Sequence, residues 1–209
     1  MLRFEDLTDG EADALASFYE LCEGGWRSFS FADPMTNLLR WSEDLGNNAW
    51  GKSAGLTITT LSGSGGEPAE FQVMNPNATA GQVWQELDLA PGVAVCFSCE
   101  VRGGGLWLRV GGAELKMAAS GDWMRRFITA VSTGGAQRVE LELEAGGSAQ
   151  VRRIQAETQL APSQYQGTYE SGGIHPRARF ADGGLRIVSV APDRNRAGVV
   201  LESVGEDQP

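Results

Sequence analysis

The sequence is short of the residues on which most catalytic and metal chemistry depends. It holds one histidine, His175, and three cysteines, Cys22, Cys96 and Cys99, in 209 residues. A single imidazole cannot build a histidine-rich metal centre, and Pro176 behind it holds His175 extended, as a loop or subunit-interface residue. Lysine is nearly missing: Lys52 and Lys116 stand against fifteen arginines, and 17 basic residues face 27 acidic ones. The formal charge of −10 argues against nucleic acid as the partner. No apolar run approaches the roughly 20 residues that cross a bilayer, so no membrane insertion is expected. The acidic start (Glu5, Asp6, Asp9, Glu11, Asp13) reverses the basic opening of a secretory signal, which implies synthesis in the cytoplasm without a signal peptide.

The remaining chemical motifs are weak. Cys96-Phe-Ser-Cys99 has the spacing of a zinc or redox pair, but Val95, Phe97 and Val101 alternate through it. Cys96, Ser98 and Glu100 therefore share one strand face, with Phe97 and Cys99 on the other, and the thiols read as small buried side chains. Cys22 reads the same way on a helix. Glu43-Asp44 diverge as sequence neighbours and suit hydrogen bonding in a turn. Gly24-Gly25 and Gly103–Gly105 lack the Lys-Ser/Thr of a phosphate loop and read as turns. Two Asn side chains at Asn75 and Asn77 are thin oxygen donation for a hard cation. No catalytic residue, metal or cofactor is expected, and the chain is not expected to be an enzyme.

Glycine is abundant, 28 residues, about twice the usual share of roughly 7%. One helix is predicted over residues 8–23, capped by Thr8 with Glu11 at the capping-box spacing and ended by Gly24-Gly25. Trp26–Phe31 alternates as a strand. From Asn37 to Thr168 short alternating segments are separated by glycine turns, including Gly103–Gly105 and Gly146-Gly147, which argues for a jelly-roll β-sandwich. Val139, Leu141 and Leu143 point inward there, and Glu140, Glu142 and Glu144 form a solvated outer face. Leu185–Val190 and Gly198–Ser203 are two further strands, and Val204–Pro209 should fray. Neither chain end can fold alone. The expected fold is mainly β: a sandwich over 37–168 inserted in a small α+β unit formed by 1–36 and 169–209.

The middle region resembles the carbohydrate-binding-module-like jelly rolls of phage tail and tail-fibre proteins. The resemblance is carried by Asn37-Leu-Leu-Arg-Trp-Ser-Glu-Asp-Leu45, Trp50-Gly-Lys52, Val83-Trp-Gln85, Ala90-Pro-Gly92, Cys96-Phe-Ser98, Trp123-Met-Arg-Arg126, Ile154–Glu157 and Pro162–Thr168. Where that family often has an Asp-Pro-Asp-Gly-Thr-like turn, this chain has Gly65-Gly-Glu-Pro-Ala69. The flanks, Leu7–Pro34 and His175–Ile187, are similar to helix-strand units of phage minor tail and distal-tail proteins.

The resemblance implies a non-enzymatic component of a phage tail or tail-like particle, incorporated in a virion. Its partners would be copies of itself in a symmetric homo-oligomer, other tail proteins and a cell-surface glycan. The alternative is a stand-alone carbohydrate-binding module or an accessory domain of a glycan-active protein. Tryptophans stack on sugar faces. Trp84 and Trp123 are expected in the core, whereas Trp107 should point opposite to them and lie exposed, with Trp41 and Trp50 as further sugar-binding candidates. Phe29 and Phe31 are candidates for the assembly interface, as are Arg177, Arg179 and Arg186, which would pair with the acidic Glu5–Asp13 segment of a neighbour.

Overall fold

A computed structural model describes residues 1–62 and 68–204, so most of the Gly65–Ala69 turn lies outside the described residues. The chain divides into two compact units, Met1–Phe31 with His175–Pro209, and Ala32–Ile174. It opens with strand β1 (Leu2–Leu7), which the acidic composition of this segment conceals in the sequence, and helix α1 (Asp9–Leu21). The capping box is present: Glu11 N–H donates to Thr8 Oγ1 at 3.2 Å, and Thr8 N–H donates to Glu11 Oε2 at 2.8 Å. Strand β2 (Phe29–Ala32) follows a turn through Gly24 and Gly25.

Eight strands then build the sandwich: β3 (Gly51–Lys52), β4 (Thr57–Ser62), β5 (Glu70–Met74), β6 (Gly81–Leu89), β7 (Ala94–Val110), β8 (Ala113–Lys116), β9 (Ser120–Val131) and β10 (Gly135–Glu157). All pairings are antiparallel. The first half of β10 lies between β6 and the end of β7; its second half lies between β5 and the start of β7. β3, β4, β8 and β9 extend these two layers outward. Inward residues of both layers, among them Val83, Leu108 and Leu141 from one and Phe71, Phe97 and Val151 from the other, form a single buried core. The fold is a mainly β jelly-roll sandwich.

Two expected turns are absent. Gly103–Gly105 and Gly146-Gly147 lie within β7 and β10, and Gly104 and Gly103 pair with Ser148 and Ala149 across a register shift. Gly103 has φ of +102°, and a Cβ there would approach the Ala149 backbone to 3.3 Å. Glycines meeting across a ladder bend both strands together, so the pair passes from one layer to the other without ending.

Asn37 fastens the segment before β3. Its side chain, 1% exposed, donates to the carbonyls of Ile154 (3.1 Å) and Gln166 (3.0 Å), while Oδ1 accepts from Leu39 N (3.2 Å) and Ala156 N (3.1 Å). One amide thus ties β10 to both flanking segments. Gly172 fits against them because a Cβ would collide with Leu38 O at 2.3 Å.

The chain closes with β11 (Ile174–Ala191) and β12 (Arg194–Ser203), in a four-stranded sheet of order β1-β12-β11-β2. Phe180 centres the small core of this unit, with rings of Tyr19, Phe29 and Phe18 at 4.9, 5.3 and 5.9 Å. Phe29 is thus a packing residue. Phe31 stacks on half-buried His175 at 6.1 Å, and His175 lies extended near the start of β11. Within the chain, part of the acidic segment expected to meet a neighbour's Arg177, Arg179 and Arg186 already has partners: Glu5 pairs with Arg196, Asp6 with Arg194, and Arg179 pairs with Glu202 at 2.7 Å. These ion pairs follow from the strand order, which puts β12 between β1 and β11. Arg177 and Arg186 are exposed. Val204, expected to fray, donates its N–H to Arg177 O at 2.9 Å; the residues after it lie outside the described set. No helix is long and apolar enough to cross a membrane among the described residues.

Cys22, Cys96 and Cys99 are buried and free. Burial pushes the Cys96 thiol up to about 11 and the Cys99 thiol to about 12. Two predictions follow from these placements. In the native protein at pH 8 an aromatic disulfide reagent should leave all three thiols unmodified over minutes, and should titrate all three in denaturant; a fast native thiol would contradict the burial. Asn37→Ala should destabilise the sandwich by about 3 kcal/mol, because four backbone groups, three of them buried, lose their partner. A urea midpoint equal to wild type would refute that role.

Candidate functional site

The outer face of the layer β4-β5-β10-β7-β9 carries a ladder of polar side chains. Register places Glu70, Arg152, Glu100 and Arg125 on successive strands of one rung. Arg152 bridges two carboxylates, Nη1 to Glu70 and Nε to Glu100, both at 2.7 Å. Arg153 reaches the other oxygen of Glu100 at 2.8 Å. Consecutive residues of a regular strand face opposite ways, but Arg153 has φ of +52° and the register shifts between Arg152 and Gln155. This bulge turns an arginine doublet onto one carboxylate. Burial acts to raise the Glu100 pKa, yet the hydrogen bonds and charges of Arg152 and Arg153 outweigh it and hold the group below the ordinary glutamate value.

The next rung is Gln72, Gln150 and Arg102, linked by Gln150 Nε2 to Gln72 Oε1 (3.1 Å) and Arg102 Nε to Gln150 Oε1 (2.7 Å). Trp123 lies under both arginines, with Arg152 at 4.2 Å and Arg102 at 4.8 Å from the ring centre.

Beside the first rung opens a cleft of about 850 Å³. One wall is Glu100, Arg125 and Arg153; the other is Glu43 and the segment Pro162–Tyr169. Thr168 fixes this segment by donating its N–H to Ser42 Oγ at 2.9 Å, and Gln155 Oε1 accepts from Gln166 N at 2.8 Å. Glu43 is anchored by the Ala69 N–H (2.7 Å) and the Tyr165 hydroxyl. Burial, then that bond to Glu43, push the Tyr165 hydroxyl pKa up, so it stays protonated. Tyr169 is 64% exposed and meets Trp41 edge to face at 6.3 Å. Arg125 donates to Ser98 Oγ at 2.9 Å. Phe127, 46% exposed, is the next residue along β9 on the same face as Arg125.

The sequence-based sugar candidates are dispersed. Trp50 is 2% exposed, in the core, with Nε1 donating to Trp41 O at 2.9 Å; it cannot be a platform. Trp41 is half-buried behind Tyr169. Trp107 is outward, as expected, but half-buried: Arg109 and Lys116 each lie 5.3 Å from its ring, and Nε1 donates to Glu144 at 3.3 Å. Trp84 and Trp123 are not core residues. Register puts Trp84 on the same outer face as Trp107, with Arg138 stacked over it at 3.8 Å.

The face of Glu140, Glu142 and Glu144 is correspondingly not a solvated one. Glu140 is 7% exposed between Arg138 and Arg109, Glu142 accepts from Arg109 at 2.8 Å, and Glu144 pairs with Lys116 at 2.6 Å. Asn75 is structural: its amide donates to Thr79 O (2.8 Å) and Glu144 O (3.0 Å). No group of three potential metal-ligating side chains occurs among the described residues. Sequence reasoning missed Glu100, Arg125, Arg153, Tyr165 and Tyr169 as a set. The signal available was the pair of arginine doublets, Arg125-Arg126 and Arg152-Arg153, inside strands that otherwise alternate.

No protein-family model matches the chain, and no curated protein matches its sequence. Solved structures that align with it include the TmCBM61 module in complex with β-1,4-galactotriose, 15% identical over 57% of this chain and 97% of that one, with a TM-score of 0.45. A family 35 carbohydrate-binding module from Clostridium thermocellum is 13% identical over 60% of this chain and 97% of its own, with a TM-score of 0.39. The enzymatically active domain of tailspike protein 4 of bacteriophage CBA120 is 14% identical, with a TM-score of 0.44; the alignment covers 60% of this chain and 22% of that one.

Proposed function

We propose that the β-sandwich unit binds a glycan in the cleft between the arginine rung and Pro162–Tyr169, and does so without cleaving it. The observation that carries this reading is the Tyr169 ring, 64% exposed at a wall of fixed hydrogen-bonding groups. A pyranose offers an apolar C–H face and an edge of hydroxyls, and this cleft offers a ring for the first and charged donors for the second. Cleavage of a glycosidic bond needs a carboxyl that stays protonated near neutral pH. Glu100 is held the opposite way by two arginines, which argues against Glu100 as that acid.

The unit made from the chain ends serves, in this proposal, to seat the sandwich in a phage tail or tail-like particle as a symmetric homo-oligomer. The resemblance of both flanks to minor tail proteins supports this, and so does Trp26, 75% exposed beside Arg27 and Arg177. A stand-alone carbohydrate-binding module is the competing arrangement. Sedimentation of the full chain separates the two: a ring-sized species is expected, and a monomer at micromolar concentration would favour the stand-alone module.

Tyr169→Ala should melt within a degree or two of wild type, since the ring is mostly in solvent, and should lose roughly tenfold in glycan retention on affinity electrophoresis. Trp107→Ala should leave retention unchanged. Retention lost with Trp107 and kept without Tyr169 would move the site to the other layer.

A further inference from the structure

We infer that the ligand of this cleft carries a carboxylate: Arg125 is placed to grip a sugar acid within an otherwise neutral glycan. The inference rests on the glycan reading above and names the class of glycan. Three arginines gather around Glu100, and two are already matched, Arg152 by Glu70 and Glu100, Arg153 by Glu100. The cross-strand neighbour that Arg125 would ordinarily use is Glu100 itself, and both of its oxygens are taken by the other two. Glu43, across the cleft, accepts from Ala69 N–H and the Tyr165 hydroxyl. Among the described residues no carboxylate lies within ion-pair distance of Arg125, whose only side-chain partner is the neutral hydroxyl of Ser98.

A half-buried guanidinium therefore faces the cleft with most of its N–H donors unspent. Its planar fork matches a carboxylate with two parallel hydrogen bonds, which a neutral hydroxyl cannot supply. The chain's net charge of −10 acts against densely charged polyanions at long range. Isolated carboxylates in a neutral chain satisfy both conditions. Tyr169 then stacks on the ring whose acid group Arg125 holds.

The test is an array of matched oligosaccharides in neutral, uronate- or sialate-bearing, and sulfated forms, probed with the labelled full chain. Arg125→Gln and Arg125→Lys are compared on it, with thermal melting to verify folding. Wild type should prefer carboxylate-bearing members over their neutral counterparts by about tenfold or more. Arg125→Gln should bind both at the neutral level, and Arg125→Lys should keep part of the preference. Equal binding of neutral and acidic members overturns the inference and leaves the glycan reading intact, as does a preference that survives in Arg125→Gln. A preference for sulfated members overturns the carboxylate assignment. If Arg125→Gln misfolds, the wild-type ratio and Arg125→Lys decide. An array on which nothing is retained removes the glycan reading, and this inference with it.

Discussion

The pairing of β7 with β10 is the constraint that organises the sandwich unit. The two strands are paired from Val139 opposite Val110 to Glu157 opposite Cys96, with register shifts at the glycine bend that carries both from one layer to the other and at the Arg153 bulge. Every other sandwich strand attaches to this pair or to a strand that does. Because side chains alternate on either side of the bend except at the Arg153 bulge, the pair delivers apolar residues to one shared core and polar residues to two separate outer faces. The site follows from this arrangement. Glu100 is where the outer face of β7 meets the outer face of β10, and the bulge at Arg153 adds a second arginine there.

The two outer faces use the same residue types for different ends. Around Trp84 and Trp107, arginines and lysine lie over the rings and the glutamates lie between the cations, so that face is closed by its own side chains. Flat cations over indole rings shield aromatic surface that would otherwise invite association. Around Glu100 the same kind of network leaves an arginine over and an aromatic ring in solvent. Difference in surplus, rather than difference in composition, separates a finished surface from one that can take a ligand.

How much of this the sequence discloses depends on the range of the interaction. The capping box of Thr8 and Glu11 is local and is legible as it stands. The inward alternation of Val139, Leu141 and Leu143 is equally plain, and with it the sandwich. Gly103–Gly105 looks like a turn because the glycines that face it across the ladder are some forty residues away, and only pairing shows that they bend together. Trp84 and Trp123 look like core because indole is large and apolar; the arginines that cover them come from other strands. The cleft is the least legible feature. It joins Glu43, Glu100, Arg125 and Tyr165, four residues from four segments, and no spacing along the chain connects them.

The scarcity of lysine takes on a physical meaning in this setting. Nearly every internal bridge of the sandwich's polar faces asks one cation to serve two partners at once: Arg152 to Glu70 and Glu100, Arg109 to Glu114 and Glu142, Arg102 to Gln150 and the face of Trp123. A planar fork with five donors can do that from one fixed rotamer, while an ammonium is a single, strongly hydrated point. On half-buried sheet faces, where hydration is limited, the fork keeps its charge and its geometry together. The same property that makes arginine the bridging residue of this fold makes an unmatched arginine, at the end of such a rung, a directional acceptor site for an anion. Arg125 occupies that position because β9 is the last strand on its side of the layer: among the described residues no further strand follows it to bring a carboxylate.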